Sequence, residues 1–487
     1  MSWQRSVLVL LQLMKNNKPL PILLNVDIID AGTEGQSIGK VDEMVVFVKG
    51  AIPGDLVDVQ VTRKKNKFRE GNVILFHKQS ERRTEPPCEH FGTCGGCRWQ
   101  NMKYDSQLFF KQKQVYNALV RIGKLDIPEI TPILGSAKIY EYRNKLEFTF
   151  SNKKWLTKEQ INDKSLSFEE GPGGNRNALG FHIPGLFDKV LDINHCHLQA
   201  DPSNAIRLEV KKYALENGLT FFDLRDQHGL LRNMIIRTTS TGEVMVIIVF
   251  FKNEADAIAG LMTHLQKTFP QINSLHYVIN EKKNDTIFDQ EVHLFSGEPV
   301  IFEQMENLKF RISPKSFYQT NSDQAFQLYK IARDFAGLKG TEIVYDLYTG
   351  TGTIANFVAG KAKKVIGIEQ VEPAIADAKI NSAFNGINNT LFFAGDMKDV
   401  LSDVFVQEHG KADVVITDPP RAGMHEDVVR TIARMQPEKI VYVSCNPGTQ
   451  ARDLMLLDEW YKVTRIQPVD MFPHTHHVEN VVLLERR

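Results

Sequence analysis

The chain has few cysteines, no surplus of either charge and no long apolar run. Five cysteines in 487 residues do not make a disulfide framework, and a free thiol suits a reducing cytoplasm. Lysine plus arginine and aspartate plus glutamate both number 59, so the formal net charge is zero. No stretch reaches the roughly 18 apolar residues that cross a bilayer. The apolar run in MSWQRSVLVLLQLMKNNKPL lacks a small-residue cleavage site and is followed by Lys15 and Lys18, which argues against a secretory signal. Met14 is a candidate internal start, with the preceding residues then dispensable. There is no internal repeat and no low-complexity tract. The expected location is cytoplasmic, with no membrane and no obligate protein partner. What remains is an ordinary globular composition, 42% apolar and 24% charged, long enough for two to four domains.

Charge balance hides a local asymmetry. Between Val61 and Arg83 lie Arg63, Lys64, Lys65, Lys67, Arg69, Lys78, Arg82 and Arg83, against only Glu70 and Glu81. The surrounding segments ILLNVDIIDAG, GQSIGKVDEMVVFVKG, DLVDVQVTRKK and FREGNVILFHK read as short strands broken by Glu34-Gly35 and Pro53-Gly54-Asp55. About five strands in so short a span predict a small OB-like barrel over 22–80, and the basic run fits a nucleic-acid footprint. GQSIGKV and VKGAIPGDLVDVQV resemble the TRAM domain, an RNA-binding barrel. YDSQLFFKQKQVYNALVRIG then predicts an amphipathic helix over 104–124 that packs on the C-terminal domain. A central mixed α/β domain is expected over 81–314, with GPGG at 171–174 as a loop and Arg143-Asn144-Lys145 as candidate phosphate contacts. From about Gly337 the rhythm becomes strand–helix–strand. EIVYDLY, KKVIGIE, TLFFAGD, ADVVITD and KIVYVSC predict a doubly wound, mainly parallel sheet over 315–487. The expected class is multidomain α/β.

Polar residues cluster at the carboxyl ends of those strands: Asp346 and Tyr348, Glu369, Asp396, Asp418-Pro419-Pro420, and Ser444-Cys445-Asn446. That rim is where open α/β sheets bind ligands. The turn Thr349-Gly350-Thr351-Gly352-Thr353 lets a ligand approach the backbone. Glu369, at the end of the second strand, suits the two ribose hydroxyls of an adenosine. This spacing alone fits NAD as well as S-adenosylmethionine. Asp396 fits either an adenine contact or a helix N-cap. Asp418-Pro419-Pro420 is followed by Arg421 rather than a stacking aromatic, which argues against amine methylation. Cys445, at the end of an apolar strand, suits a nucleophile. The other four thiols are Cys88, Cys94 and Cys97 in PPCEHFGTCGGCRWQ and the remote Cys196 in INHCHL. They suit an iron–sulfur site, or zinc with His195 or His197.

KSFYQTN (315–321), DLYTGTGT (346–353), IGIEQVEPAI (366–375), TDPPRAG (417–423), SCNPGTQARDL (444–454) and FPHTHHVENVVLLER (472–486) appear in order. Together they resemble the RNA uracil-5-methyltransferase family over nearly the whole chain after residue 22. The barrel and the cysteine set are similar to the subgroup that modifies 23S ribosomal RNA and carries a [4Fe-4S] cluster. The resemblance implies a Rossmann-like methyltransferase domain that uses S-adenosylmethionine. It implies Cys445 as the nucleophile that adds to carbon 6 of uracil, and Glu479 as the proton acceptor. Methyl-donor contacts fall by the same matching on Gln319, Tyr348, Thr353, Glu369 and Asp418, and cluster ligands on Cys88, Cys94, Cys97 and Cys196. The implied partner is RNA: 23S rRNA before or during ribosome assembly, with transfer RNA as the alternative. Thr349 stands where many relatives carry Cys, and a backbone role is expected for it. A non-catalytic RNA-binding assembly factor would have no need of Cys445 and Glu479. An NAD-dependent oxidoreductase would leave SCNPG and the basic barrel unexplained.

Overall fold

The computed structural model describes residues 20–163 and 176–487. The N-terminal apolar stretch, with Met14, and the GPGG loop lie outside the described residues. The chain divides into two units. The first holds the described residues up to Pro87 together with Arg98–Phe110; the second holds Cys88–Cys97 and Lys111–Arg487.

In the first unit, β1 (Ile22–Ala31), β2 (Ser37–Val41), β3 (Met44–Lys49), β4 (Leu56–Lys64) and β5 (Phe68–Lys78) close into a barrel in the order β1-β2-β3-β5-β4. Alternation drives it: Val57, Val59 and Val61 of β4 point inward onto Val26, Ile28, Val46 and Val48. Closure needs Gly71, where an added Cβ would stand 2.4 Å from Val59 Cγ1. The Pro53-Gly54-Asp55 turn is fixed by Asp55, fully buried, which accepts from Ile52 N at 2.7 Å, Ser80 N at 2.9 Å and Arg83 Nε at 2.8 Å. Arg63 through Lys67 are exposed, at the end of β4 and in the turn to β5.

The second unit contains two seven-stranded sheets. One is built from β6 (Lys145–Ser151), β7 (Ala178–Ile183), β8 (Leu186–Asp192), β9 (Leu231–Thr238), β10 (Val244–Phe250), β11 (Ile272–Ile279) and β12 (Val292–Gly297), in the order β12-β11-β10-β9-β6-β7-β8. Every residue of β10 is buried because both its faces are covered. Val246, Ile248 and Phe250 pack with Val210 and Leu261 from the helices Ser203–Glu216 and Ala255–Thr268. Met245, Ile247 and Val249 share a core with the hairpin β13 (Ile301–Met305) and β14 (Leu308–Ile312) and with the C-terminal elements.

The second sheet comprises β15 (Ile343–Leu347), β16 (Lys364–Glu369), β17 (Thr390–Ala394), β18 (Val414–Thr417), β19 (Lys439–Ser444), β20 (Tyr461–Val469) and β21 (Glu479–Arg486), in the order β17-β16-β15-β18-β19-β21-β20. The first five strands are parallel, and β21 inserts antiparallel between β19 and β20. Strand order reverses between β15 and β18, which opens a crevice at the carboxyl ends. Among the described residues no helix is long and apolar enough to cross a membrane.

Candidate active site

The turn after β15 shapes the first wall of the crevice. Tyr348 has φ +62° and Gly352 φ +74°, which bends the chain into the helix Thr353–Ala359. Asp346, fully buried, anchors the turn by accepting from Thr349 Oγ1 and from Ala355 N at 2.9 Å. Thr349 therefore acts through its hydroxyl as well as its backbone. Glu369, at the end of β16, accepts from Gly350 N at 3.2 Å and Val371 N at 3.0 Å. Asp396 caps the short helix Met397–Val400 by accepting from Lys398 N at 3.2 Å. Thr353 Oγ1 lies 3.4 Å from Thr351 Oγ1. Gln319 precedes the helix Ser322–Ala336 rather than starting it, because Asn321 is the N-cap. Its side chain hydrogen-bonds Tyr329, a fully packed residue that also feels the charges of Asp418, Asp346 and Glu479. Sequence reading missed Tyr329; it stands on a helical face that looks like plain core.

The second wall is where Cys445 and Glu479 meet. Ser444 pairs with Asn480 as the last pair across β19 and β21, so Cys445 directly follows one and Glu479 directly precedes the other, and the Glu479 charge reaches the Cys445 thiol. Asn446 caps the helix Pro447–Leu457 by accepting from Gly448 N at 3.0 Å, and Pro447 fits the first helical turn. Asn446 Nδ2 and Thr449 Oγ1 donate to Arg421 O at 3.1 and 3.2 Å, which ties the Asp418–Gly423 loop to Cys445. Buried Asn480 and Gln450 brace β21 against the same helix, with Asn480 Nδ2 donating to Gln450 Oε1 at 2.7 Å.

Electrostatics in this corner is dominated by burial. Burial pushes the half-buried Cys445 thiol up to about 11, helped by the charges of Glu479 and Asp418 and opposed by Arg421. Burial and then Asp418 raise Glu479 to about 8, again against Arg421. Asp418 is raised by burial to about 7. Asp346 reaches about 7 through burial, with the carboxylates of Asp418 and Glu369 adding to the shift. The histidines of the neighbouring loop move the other way. His474 falls to about 4 and His477 to about 3, first through burial and then through nearby cations or, at His477, the His476 imidazole. His477 Nδ1 accepts from the Arg421 guanidinium. At neutral pH these two imidazoles are weak bases, and Glu479 is the group whose proton affinity sits near the working range.

None of the five cysteines is in a disulfide. Burial raises Cys94 to about 11, and the charges of Cys196 and Cys88 add to the shift. Cys88 and Cys196 are raised in the same sense, and Cys97 and Cys88 both act on Tyr140. Gly96 N donates to Cys94 Sγ at 3.5 Å, and the backbones of His90 at Cys88 and of Leu198 at Cys196 favour the thiolate forms. Cys88, Cys94 and Cys196 lie within electrostatic reach of one another, Cys97 shares Tyr140 with Cys88, and Arg207 and Arg143 act on Cys196; thiols so placed fit a centre bound through thiolates. Arg143, Asn144 and Lys145 are half-buried rather than a free phosphate-binding edge. Asn144 Nδ2 donates to Gln319 O at 2.8 Å.

The mainly parallel sheet, with β21 inserted antiparallel next to its edge, carries acidic residues, a Gly-rich turn and a thiol along one rim. Residues 224–487 match the tRNA (uracil-5-)-methyltransferase family and residues 23–74 the TRAM domain; the chain belongs to the RNA uracil-5-methyltransferase family. It is 58% identical over 457 residues to an "uncharacterized RNA methyltransferase" of Bacteroides thetaiotaomicron, covering 93% of this chain and 99% of that one. A protein of the same description from Chlorobaculum tepidum is 37% identical, over 95% of this chain and 96% of its own. Among solved structures, the Pyrococcus abyssi tRNA (uracil-54, C5)-methyltransferase in complex with S-adenosyl-L-homocysteine is similar with a TM-score of 0.72 and 28% identity, covering 95% of this chain and 100% of that one.

Proposed function

We propose that this chain methylates carbon 5 of a uridine in RNA, with S-adenosylmethionine as methyl donor, Cys445 as nucleophile and Glu479 as proton acceptor. The observation that supports the reading best is that Cys445 follows Ser444 and Glu479 precedes Asn480, the last pair of the β19–β21 register, and that the Glu479 charge acts on the Cys445 thiol. Carbon 5 of uracil is a weak nucleophile. Addition of the Cys445 thiolate to carbon 6 makes an enolate that is nucleophilic at carbon 5. Carbon 5 takes the methyl group and S-adenosylhomocysteine leaves. Glu479 then removes the carbon 5 proton, the carbon 6–sulfur bond breaks, and the thiolate is released with 5-methyluridine. Arg421 favours the ionised forms of both Cys445 and Glu479. Gln319, Tyr348, Thr353, Glu369 and Asp418 hold the methyl donor, and Asp418 also orients the uracil. The target must leave its stack, which costs least in unpaired RNA.

The division of labour follows the chain: residues 22–80 bind RNA, 81–314 carry the four-cysteine site, and 315–487 transfer the methyl group. Cys88, Cys94, Cys97 and Cys196 would hold a [4Fe-4S] cluster. As ligands, these thiols would give up their protons to iron–sulfur bonds, and the 88–97 segment would be tied to Cys196. The substrate we propose is 23S rRNA, to which the barrel and the cysteine set lend support. A transfer RNA is the second reading, favoured by the name of the solved P. abyssi relative. Incubation with tritiated methyl donor and with each transcript separates them: label at carbon 5 of uridine in 23S rRNA alone is expected. Label in tRNA alone moves the assignment to tRNA, and no label in any RNA overturns the reaction.

A further inference from the structure

One short strap joins the four-cysteine site to both walls of the candidate active site. The turn at Cys196 is held by Asn204, which accepts from Cys196 N at 2.8 Å and donates to Cys196 O at 3.2 Å. Immediately after it, His197 O accepts from Glu141 N and Leu198 O accepts from Arg143 N, both at 2.8 Å. Residues 140–144 thus run beside the cysteine segment on two rungs.

The strap's side chains reach the other way, into the loop between β20 and β21. The Tyr140 ring stacks on His474 with centroids 4.4 Å apart. Buried Tyr142 donates its hydroxyl to Pro473 O at 3.0 Å. The Arg143 guanidinium lies 5.8 Å from the Phe472 ring centre. One residue on, Asn144 N donates to Thr320 O, and Asn144 Nδ2 donates to Gln319 O and Ser322 Oγ, all at 2.8 Å. The loop needs such bracing. It has no regular secondary structure from Asp470 to Val478, and it holds His474, a non-glycine residue, at φ +65°.

We propose that Tyr142 and Asn144 are positioning residues through which the metal-binding segment around Cys196 fixes the loop leading to Glu479 and the loop carrying Gln319. The proposal rests on the reading of Cys88, Cys94, Cys97 and Cys196 as ligands and of Glu479 and Gln319 as site residues. The cluster then has a mechanical role. Metal binding holds the 196–198 segment, that segment holds the strap, and the strap sets the proton acceptor and the methyl-donor contact.

Hydrogen–deuterium exchange on the full metal-loaded chain, without RNA, tests this independently of methylation. Tyr142→Phe keeps the ring and removes one hydrogen bond. Its iron content is expected to match wild type, while exchange in 470–478 rises roughly 2- to 10-fold, as loss of one hydrogen bond predicts, and exchange in 346–353 stays unchanged. With RNA and methyl donor, the same variant lowers kcat and accumulates methylated protein–RNA adduct, with KM for the donor unchanged. Asn144→Ala raises KM for the donor at unchanged iron content. Cys196→Ser loses metal and speeds exchange in both 470–478 and 315–321. If Cys196→Ser also loosens 346–353, the fold itself has suffered and Tyr142→Phe decides. Unchanged exchange in 470–478 for Tyr142→Phe overturns the strap, as does metal loss in Cys196→Ser with both loops exchanging as in wild type. Failure of the methylation assay with the exchange pattern intact would instead count against the proposed reaction.

Discussion

At the scale of single residues, the site is a set of acids kept from ionising together. Glu479, Asp418 and Asp346 are all raised into the range of about 7 to 8, chiefly by burial. A carboxyl raised in the folded state contributes stability that is fully present below its unfolded pKa and is lost as pH rises through its folded pKa. For Glu479 that window runs from the ordinary carboxylate range to about 8. Glu479→Gln should therefore match wild type in denaturant midpoint near pH 4 and exceed it by a gap that widens up to about pH 8, at roughly 1.4 kcal/mol per pKa unit as an upper bound. A constant gap in urea titrations across that range would show that the carboxyl is not buried as described. In catalysis the same variant should let methylated adduct accumulate as a slow band in denaturing gels. Cys445→Ala should form no adduct with 5-fluorouracil-containing RNA, and trapping by that variant would sink the covalent mechanism. The sequence motif points to Glu479, although a histidine with its ordinary pKa is the usual base at neutral pH. The fold reverses that order for His474 and His477, because burial lowers an imidazole and raises a carboxyl.

At the scale of elements, the helix Tyr104–Asn117, continued by a π-helical turn Ala118–Ile122, departs from simple amphipathicity. Its Lys111 is fully buried and donates to Asp470 Oδ1 at 2.6 Å and to Phe472 O at 3.0 Å. Burial lowers Lys111, and Asp470 offsets the shift. Removing one partner of a buried pair leaves the other uncompensated, so Lys111→Met should cost about 3–5 kcal/mol. Thermal denaturation of wild type, Lys111→Met and the Lys111→Met/Asp470→Asn double variant checks this; the double variant should recover part of the loss. For the exposed run at the end of β4 we propose a separate role, in RNA affinity. Replacing Lys64, Lys65 and Lys67 by Ala should weaken RNA binding and reduce the slope of log affinity against log salt by about 0.7–0.9 for each phosphate no longer neutralised. Donor binding measured by calorimetry should not change. An unaltered salt slope would make the run a solvated surface only.

At the scale of the whole molecule, the chain combines a barrel of the TRAM type with a methyltransferase sheet, to which we add the proposed four-cysteine site. Anaerobic protein should be brown and carry about four irons, as a [4Fe-4S] centre requires. Stoichiometric zinc in a colourless sample would replace the cluster by a zinc site. The five parallel strands of the second sheet were legible in the sequence because buried strands read as compact apolar runs, as in KIVYVS of β19. The rim residues were legible because a strand's carboxyl end is a local feature. What the sequence determined by itself was therefore local: strand ends, the Gly-rich turn, the cysteine inventory and the ordered motifs. Only the tertiary structure decided which of these meet. The antiparallel return of β21 beside β19 pairs Asn480 with Ser444, the neighbours of Glu479 and Cys445. The strap from Tyr140 to Asn144 connects a cysteine segment to loops far along the chain, and Lys111 finds Asp470 across 359 positions. No spacing rule reveals such partners, because burial, register and hydrogen bonding between distant segments exist only once the chain has closed on itself.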